Sequence, residues 1–186
     1  MPLLLMRTYP DTLLDESCRL AVRRQIDYGR SLGAAWGVSG SAYGAVDRHH
    51  TYQYKAFGVP GLGLTRGLGD ELVVAPYATA LTAQIAPQRA CLNFAALQAL
   101  APGTPYGLIE ALDFTPARQA AGAAFTPVAT FMAHHQGMTI VALANVLLDG
   151  KARRWGMANP HIEAVASLLH ERVPREVAML YTQAAG

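Results

Sequence analysis

The chain has 186 residues, of which 52% are hydrophobic and 15% charged, with a formal net charge of +2. This length suffices for one domain with a real core, and so small a charge, with no Lys/Arg run interleaved with aromatic rings, argues against a nucleic-acid partner. The charged share lies well below the about 25% usual in soluble domains, so part of the surface is expected to be covered by a partner or by the rest of a larger unit. Met1–Arg7 is apolar but lacks the charged start and the length of a signal peptide. The longest uncharged apolar run, 138–148, falls short of the about 18 residues that cross a bilayer. Cys18 and Cys91 have no CxxC spacing and read as reduced, buried thiols on helices rather than as a disulfide.

In chain order, Thr12 to Ser31 reads as a helix. Thr12 and Asp15 form a capping pair, apolar residues recur at Leu14, Cys18, Ala21, Val22 and Ile26, and Gly33 ends it. From Trp36 to Leu68 glycine is too frequent for a helix, and Tyr52-Gln53-Tyr54 is at most a short strand. Pro76 to Ile85 and Pro87 to Leu100 are two helices, each with proline in its first turn. Gly103-Thr104-Pro105 then breaks the chain ahead of Tyr106–Phe114, where two carboxylates, Glu110 and Asp113, stand between aromatic rings. Phe125-Thr126-Pro127 leads into Met132–Met138, and Thr139 to Leu148 is an apolar helix closed by Asp149-Gly150. Asn159-Pro160 caps a last helix, His161 to Arg172, with a short helical tail after Pro174. With no internal repeat and no alternating β–α pattern, the fold class is mainly α, an α/α architecture whose glycine-rich loops build one face.

Several chemistries fit this pattern poorly. His134-His135 and His49-His50 are adjacent rather than four apart, so on a helix each pair diverges by about 100°, and no metal is expected. There is no Gly-x-Ser-x-Gly elbow for a serine hydrolase. The glycines from Gly58 to Gly67 lack both the Lys-Ser/Thr ending of a phosphate loop and dinucleotide spacing, so no cofactor is expected. Carboxylates beside aromatic rings suit sugar chemistry, because rings stack on the apolar faces of sugars and carboxylates carry the proton transfers at the glycosidic bond.

A family resemblance rests on many ordered segments. Trp36-Gly37-Val38-Ser39, followed after Gly40 by Ser41-Ala42-Tyr43, resembles the WGISESAY segment of the glucoamylase-like domain of cyclic β-1,2-glucan synthases. The similarity continues through Thr51-Tyr52-Gln53-Tyr54, Phe57–Leu64 with Arg66-Gly67-Leu68, and Val74–Leu81. It resumes at Tyr106-Gly107, Glu110–Pro116 and Met132–Thr139, with flanking matches in Tyr9–Glu16 and Glu171–Arg175. The resemblance implies that residues 1–186 form the C-terminal portion of one glucoamylase-like domain, a partial (α/α) toroid. It implies retaining transglycosylation on a β-1,2-glucan. It also implies a multidomain enzyme on the cytoplasmic side of the bacterial inner membrane, whose remaining chain, or a second copy, completes the toroid.

Two carboxylates are needed for that chemistry, about 5 to 5.5 Å apart in a retaining enzyme. Glu110 matches the acid of the family's YEALD-type segment and is the candidate acid/base, against the alternative of a helix N-terminal glutamate with a capping or salt-bridge role. At the position of the family's WGISES glutamate this chain has Gly40, which can neither attack nor hold a proton. Asp47 is the nearby acid, divided between catalysis and capping of a loop N–H. Asp113 divides between orienting a neighbour and a turn bond to Thr115. Trp36, Tyr43, Tyr52, Tyr54 and Tyr106 are candidate stacking platforms, with core packing as the alternative. Arg66 is a candidate for sugar hydroxyls or a carboxylate, and otherwise a surface cation. His134, His135 and Gln136 divide between sugar hydroxyls and a structural network. Two functions follow: a β-1,2-glucan glycosidase or transglycosylase domain, or a carbohydrate-binding remnant made inactive by Gly40.

Overall fold

A computed structural model describes residues 1–63, 66–101 and 103–172. After a 3-10 turn at Pro2–Leu4, helix α1 spans Leu13–Ser31. Thr12 is its N-cap, the hydroxyl accepting from the Asp15 N–H. Its C-terminal turn closes into Gly33, whose φ of 62° is the left-handed conformation that glycine adopts without a Cβ penalty. Strands β1 (Ser41–Val46) and β2 (Tyr52–Lys55) form an antiparallel hairpin with an irregularity between Ala42 and Val46.

A second sheet is built from three short antiparallel strands: β3 (Val73–Val74), β4 (Ala111–Asp113) and β5 (Thr126–Val128). β4 is central, with Val73 opposite Asp113 and Ala111 opposite Val128. Fully buried Val73, Val74, Ala111, Leu112 and Val128 pack with Val38, Ala42, Phe57, Val59 and Leu97 into the main core. Between β3 and β4 run α2 (Pro76–Ala83) and α3 (Pro87–Leu100), and α2 packs against α3 on one side. On its other side lies α4 (Ala133–Leu147), followed by α5 (Lys151–Met157) and α6 (Pro160–Val165). The described residues are therefore mainly helical, with short strands and glycine-bearing loops.

The structure differs from the sequence expectations at several points. The helix expected from Thr139 begins at Ala133, so His134 and His135 lie in its first turn. An exposed Gly137 inside the helix costs about 1 kcal/mol relative to alanine. The helix from Pro76 ends at Ala83 rather than Ile85. The last helix stops at Val165 and tightens to 3-10 geometry over Ala166–His170. There the chain turns back to α1: His170 packs on Tyr9, and the Glu171 carbonyl accepts from the Leu13 N–H. The expected tail after Pro174 lies outside the described residues. Glu110 precedes a strand instead of starting a helix. Cys91 is exposed and Cys18 half-buried, so neither is the buried thiol expected.

Candidate active site

Glu110 enters the site because its segment joins the central strand of the small sheet: its N–H donates to the Thr130 carbonyl and Ala111 pairs with Val128. The side chain is 2% exposed. Its Oε1 lies 2.6 Å from His135 Nδ1 and accepts, at 3.4 Å, from the Ala42 N–H of β1. The His135 ring stacks on Tyr77 with centroids 3.7 Å apart and planes at 11°. Tyr77 Oη in turn donates to the Gly40 carbonyl at 2.9 Å and lies 2.6 Å from Ser39 Oγ. With the single phenolic proton committed to Gly40, Ser39 is the donor in that pair.

Burial dominates the titration of this group. It pushes the Glu110 carboxyl above the ordinary range, against the opposing N–H groups of Ala42 and Met132 and the charge of His134. Burial, with a smaller contribution from His134, lowers His135 to about 4, so its ring is neutral at neutral pH. Burial likewise raises Tyr77 to about 12 and, with the charge of Glu110, raises Tyr54. The result is a buried carboxyl able to hold a proton at higher pH than usual, hydrogen-bonded to a neutral imidazole.

Glu110 and His135 form part of the wall of a cleft of about 740 Å³. Tyr77, Gln136 and Thr139 add polar groups, and Phe94, Leu108, Ile109 and Leu143 supply apolar walls. Beside His135, Tyr54 is half-exposed, its ring 6.1 Å from that imidazole and 6.2 Å from His134, which is itself exposed. Tyr106, 80% exposed, sits edge-on to Phe131 in the segment between the lining residues Thr104 and Gly107. A Cβ built on Gly40 would lie 3.1 Å from Tyr54 Oη, so a phenol stands where a side chain at position 40 would start.

Other sequence candidates lie elsewhere. Asp47 occupies the exposed hairpin turn, where Oδ1 accepts from the His49 and Thr51 N–H groups. It follows the end of β1 at Val46 and is absent from the lining of the cleft that holds Glu110. Asp113 is completely buried: it accepts from the N–H groups of Gly44 and Thr115 and from the Arg118 guanidinium at 2.6 and 3.1 Å. Burial raises its carboxyl, but Arg118 and those N–H groups outweigh burial and hold it below the ordinary range. It is a structural anion with no exposed oxygen for a sugar.

Trp36 is buried against Ala83 and Ala90, and Tyr43 lies beneath Arg118 at 4.9 Å and edge-on to Phe57. Tyr52 packs on the core and its hydroxyl accepts from the Ala129 N–H. None of these three rings lines the cleft; apolar bulk drew them into packing instead. Arg66 is exposed beside Asp70 in the glycine-rich loop, away from the cleft. Among the described residues, no three of His, Cys, Asp and Glu cluster as a metal ion would need. No helix among them is long and apolar enough to cross a membrane.

Sequence reasoning did not single out Tyr77, Ser39 or Arg118. Tyr77 had a signal: a phenol in the first turn of an otherwise apolar helix needs a partner for its hydroxyl. Arg118 had none, since its partners Asp113 and Glu71 meet it only in the folded chain.

Helices packed beside a cleft with short strands and a buried carboxyl in its wall are an α/α arrangement. The chain belongs to the glycoamylase family: residues 11–159 match the family model described as "Putative glucoamylase". It is 43% identical over 180 residues to the cyclic beta-(1,2)-glucan synthase NdvB of Rhizobium meliloti (strain 1021), covering 97% of this chain and 6% of the synthase. Its fold is similar to that of an endo-beta-1,2-glucanase from Chitinophaga pinensis, solved with sophorotriose and glucose. The TM-score is 0.51 at 18% identity, over 82% of this chain and 33% of the glucanase. That likeness is one of fold, a partial (α/α) toroid.

Proposed function

We propose that the chain is a β-1,2-glucan-acting glycosidase or transglycosylase domain in which Glu110 is the proton carrier. The observation that carries this reading is the buried Glu110 carboxyl in the wall of the cleft, raised in pKa and paired with a neutral imidazole. Such a carboxyl protonates the glycosidic oxygen as the bond to the anomeric carbon breaks. The resulting carboxylate then takes the proton of the incoming group, water in hydrolysis or a sugar hydroxyl in transglycosylation. Tyr54 and Tyr106 offer exposed faces for glucose rings, and Gln136 and His134 offer donors for hydroxyls. The names of the two relatives, a β-1,2-glucan synthase and a β-1,2-glucanase, support the substrate class.

Glu110 is the one carboxylate among the described residues that line the cleft. The second acid of a two-carboxylate mechanism would come from the opposite wall, supplied by the remainder of a longer synthase chain or by a second copy. In such a synthase the domain would work on the cytoplasmic side of the inner membrane.

The test is incubation with linear β-1,2-glucan and mass spectrometry of the products, with Glu110→Gln alongside. Rings or shortened chains that disappear in Glu110→Gln are expected. Bound glucan with no product would leave a binding module, and product formation unaffected by Glu110→Gln would remove Glu110 from the chemistry.

A further inference from the structure

Three side chains from three elements meet behind the carboxyl of Glu110 in an order that has a mechanical reading. His135, in the first turn of α4, is 1% exposed and touches Oε1 at 2.6 Å. Tyr77, in the first turn of α2, covers the face of that imidazole at 3.7 Å and nearly parallel. The Tyr77 hydroxyl is fixed by Ser39 and by the Gly40 carbonyl, just ahead of β1. The next link closes a loop, because β1 returns the Ala42 N–H to the same Oε1. A neutral imidazole can donate one Nδ1–H to a carboxylate, and both of these contacts fall on one oxygen.

We propose that Tyr77 and His135 are positioning residues that lock the Glu110 carboxyl through Oε1 and so make Oε2 the oxygen that gives and receives the proton. His135 supplies the bond and Tyr77 holds the ring at the angle that bond requires. The stack also explains why the first turn of α4 forms ahead of Gly137: a loop at His135 could not present the ring flat against α2. The lock rests on Glu110 being the proton carrier. It assigns His135 to holding Glu110 rather than to binding sugar.

The groups that face Glu110 are His135 and His134 from α4, the Met132 N–H at its start, the Ala42 N–H from β1, Tyr54 from β2 and Tyr77 from α2. A donor to the ionised form favours ionisation, so its loss moves a carboxyl upward. The measurement is a pH titration of side-chain carboxyl resonances in protein labelled with 13C at glutamate. The chain has six glutamates, and the Glu110 signal is the one missing in Glu110→Gln.

His135→Leu is expected to raise the Glu110 midpoint by about one pH unit. His135→Gln, which keeps a donor, is expected to restore most of the wild-type value. Tyr77→Leu is expected to raise it as well, and Tyr77→Phe, which keeps the stack and loses the anchor, to give an intermediate value. If His135→Leu and Tyr77→Leu leave the midpoint unchanged, or if His135→Gln behaves like His135→Leu, the lock does not exist. Should the leucine variants fail to fold, Tyr77→Phe and His135→Gln still decide it: a Tyr77→Phe midpoint equal to wild type, or a full shift in His135→Gln, overturns it. On glucan, the same variants are expected to lower kcat with KM little changed. Midpoint shifts in these variants, with a wild-type protein that never cleaves glucan, would keep the lock and remove the enzymatic reading, so the two fail separately.

Discussion

Gly44 shows how closely single atoms determine the packing of β1 on β4 and β5. Its N–H donates to Asp113 at 2.9 Å, and a Cβ at that position would lie 3.0 Å from the same carboxylate and 3.2 Å from the Thr126 side chain. The constraint is packing, since the side chains of β4 and β5 press against β1 there. Gly44→Ala should therefore destabilise the protein by about 1 to 3 kcal/mol, the usual cost of overpacking, read as a lower urea midpoint at unchanged slope. An alanine accepted without loss would mean that β1 does not lie this close to β4. Glu110 was legible from its setting among rings in the sequence, but its two working contacts were not. Ala42 and His135 are 68 and 25 residues away in the chain. Asp47 lies outside the cleft lining for the matching reason. An aspartate in a hairpin turn is satisfied by its own loop, and proximity in sequence to Gly40 did not bring it into the cleft.

At the level of elements, buried amides tie loops to helices. Asn93 of α3 accepts from the Trp36 N–H and donates to the Trp36 carbonyl and to Thr79 Oγ1. Gln25 of α1 makes the same two-way pair with the backbone of Val38. Between them they hold 36–38, the strip that leads to Ser39 and Gly40, as a strand partner would. Asn145 of α4 does similar work at the other end, joining Leu4, Gln84 and the first turn of α5. Asn93→Leu keeps volume but orphans two buried backbone groups, and should cost about 3 kcal/mol by chemical denaturation. A measured cost near zero would show that the Trp36 loop is held by packing alone. The helix pattern announced these positions only as polar interruptions of apolar faces. The starts of α1, α2, α3 and α6 followed from proline and capping residues, because those signals act within a single turn, whereas the start of α4 and the ends of α2 and α6 did not. The three-stranded sheet did not, since two- and three-residue strands carry no periodicity and exist only through pairing.

At the scale of the whole molecule, a charged network adds to the apolar core in joining β1, β2 and β4. Arg118 binds Asp113 and Glu71, rests on the Tyr43 ring and also donates to Thr115, while Lys55 of β2 reaches Glu71. Hydrogen bonds from Lys55 and Arg118 hold Glu71 below its ordinary value, as Arg118 and backbone N–H groups do for Asp113 against its burial. A depressed carboxyl contributes stability that is complete above its unfolded value, 4.5 for Glu71 and 3.8 for Asp113, and is lost as pH falls through the lower folded value. Arg118→Leu leaves Asp113 buried without its cation and should cost about 3 to 5 kcal/mol near neutral pH. Its Tm should also fall less on acidification than that of the wild type, because carboxyls no longer held down by Arg118 give up less stability there, and parallel Tm–pH curves would contradict the network. The residues by themselves determined the helical class and the family, because periodicity, capping and motif order are local properties of a chain. Only the tertiary structure decided which rings became core, that Asp113 is a structural anion, and that Tyr77 and His135 stand behind Glu110. Those outcomes depend on burial and on contacts between distant residues, which exist only once the chain has packed.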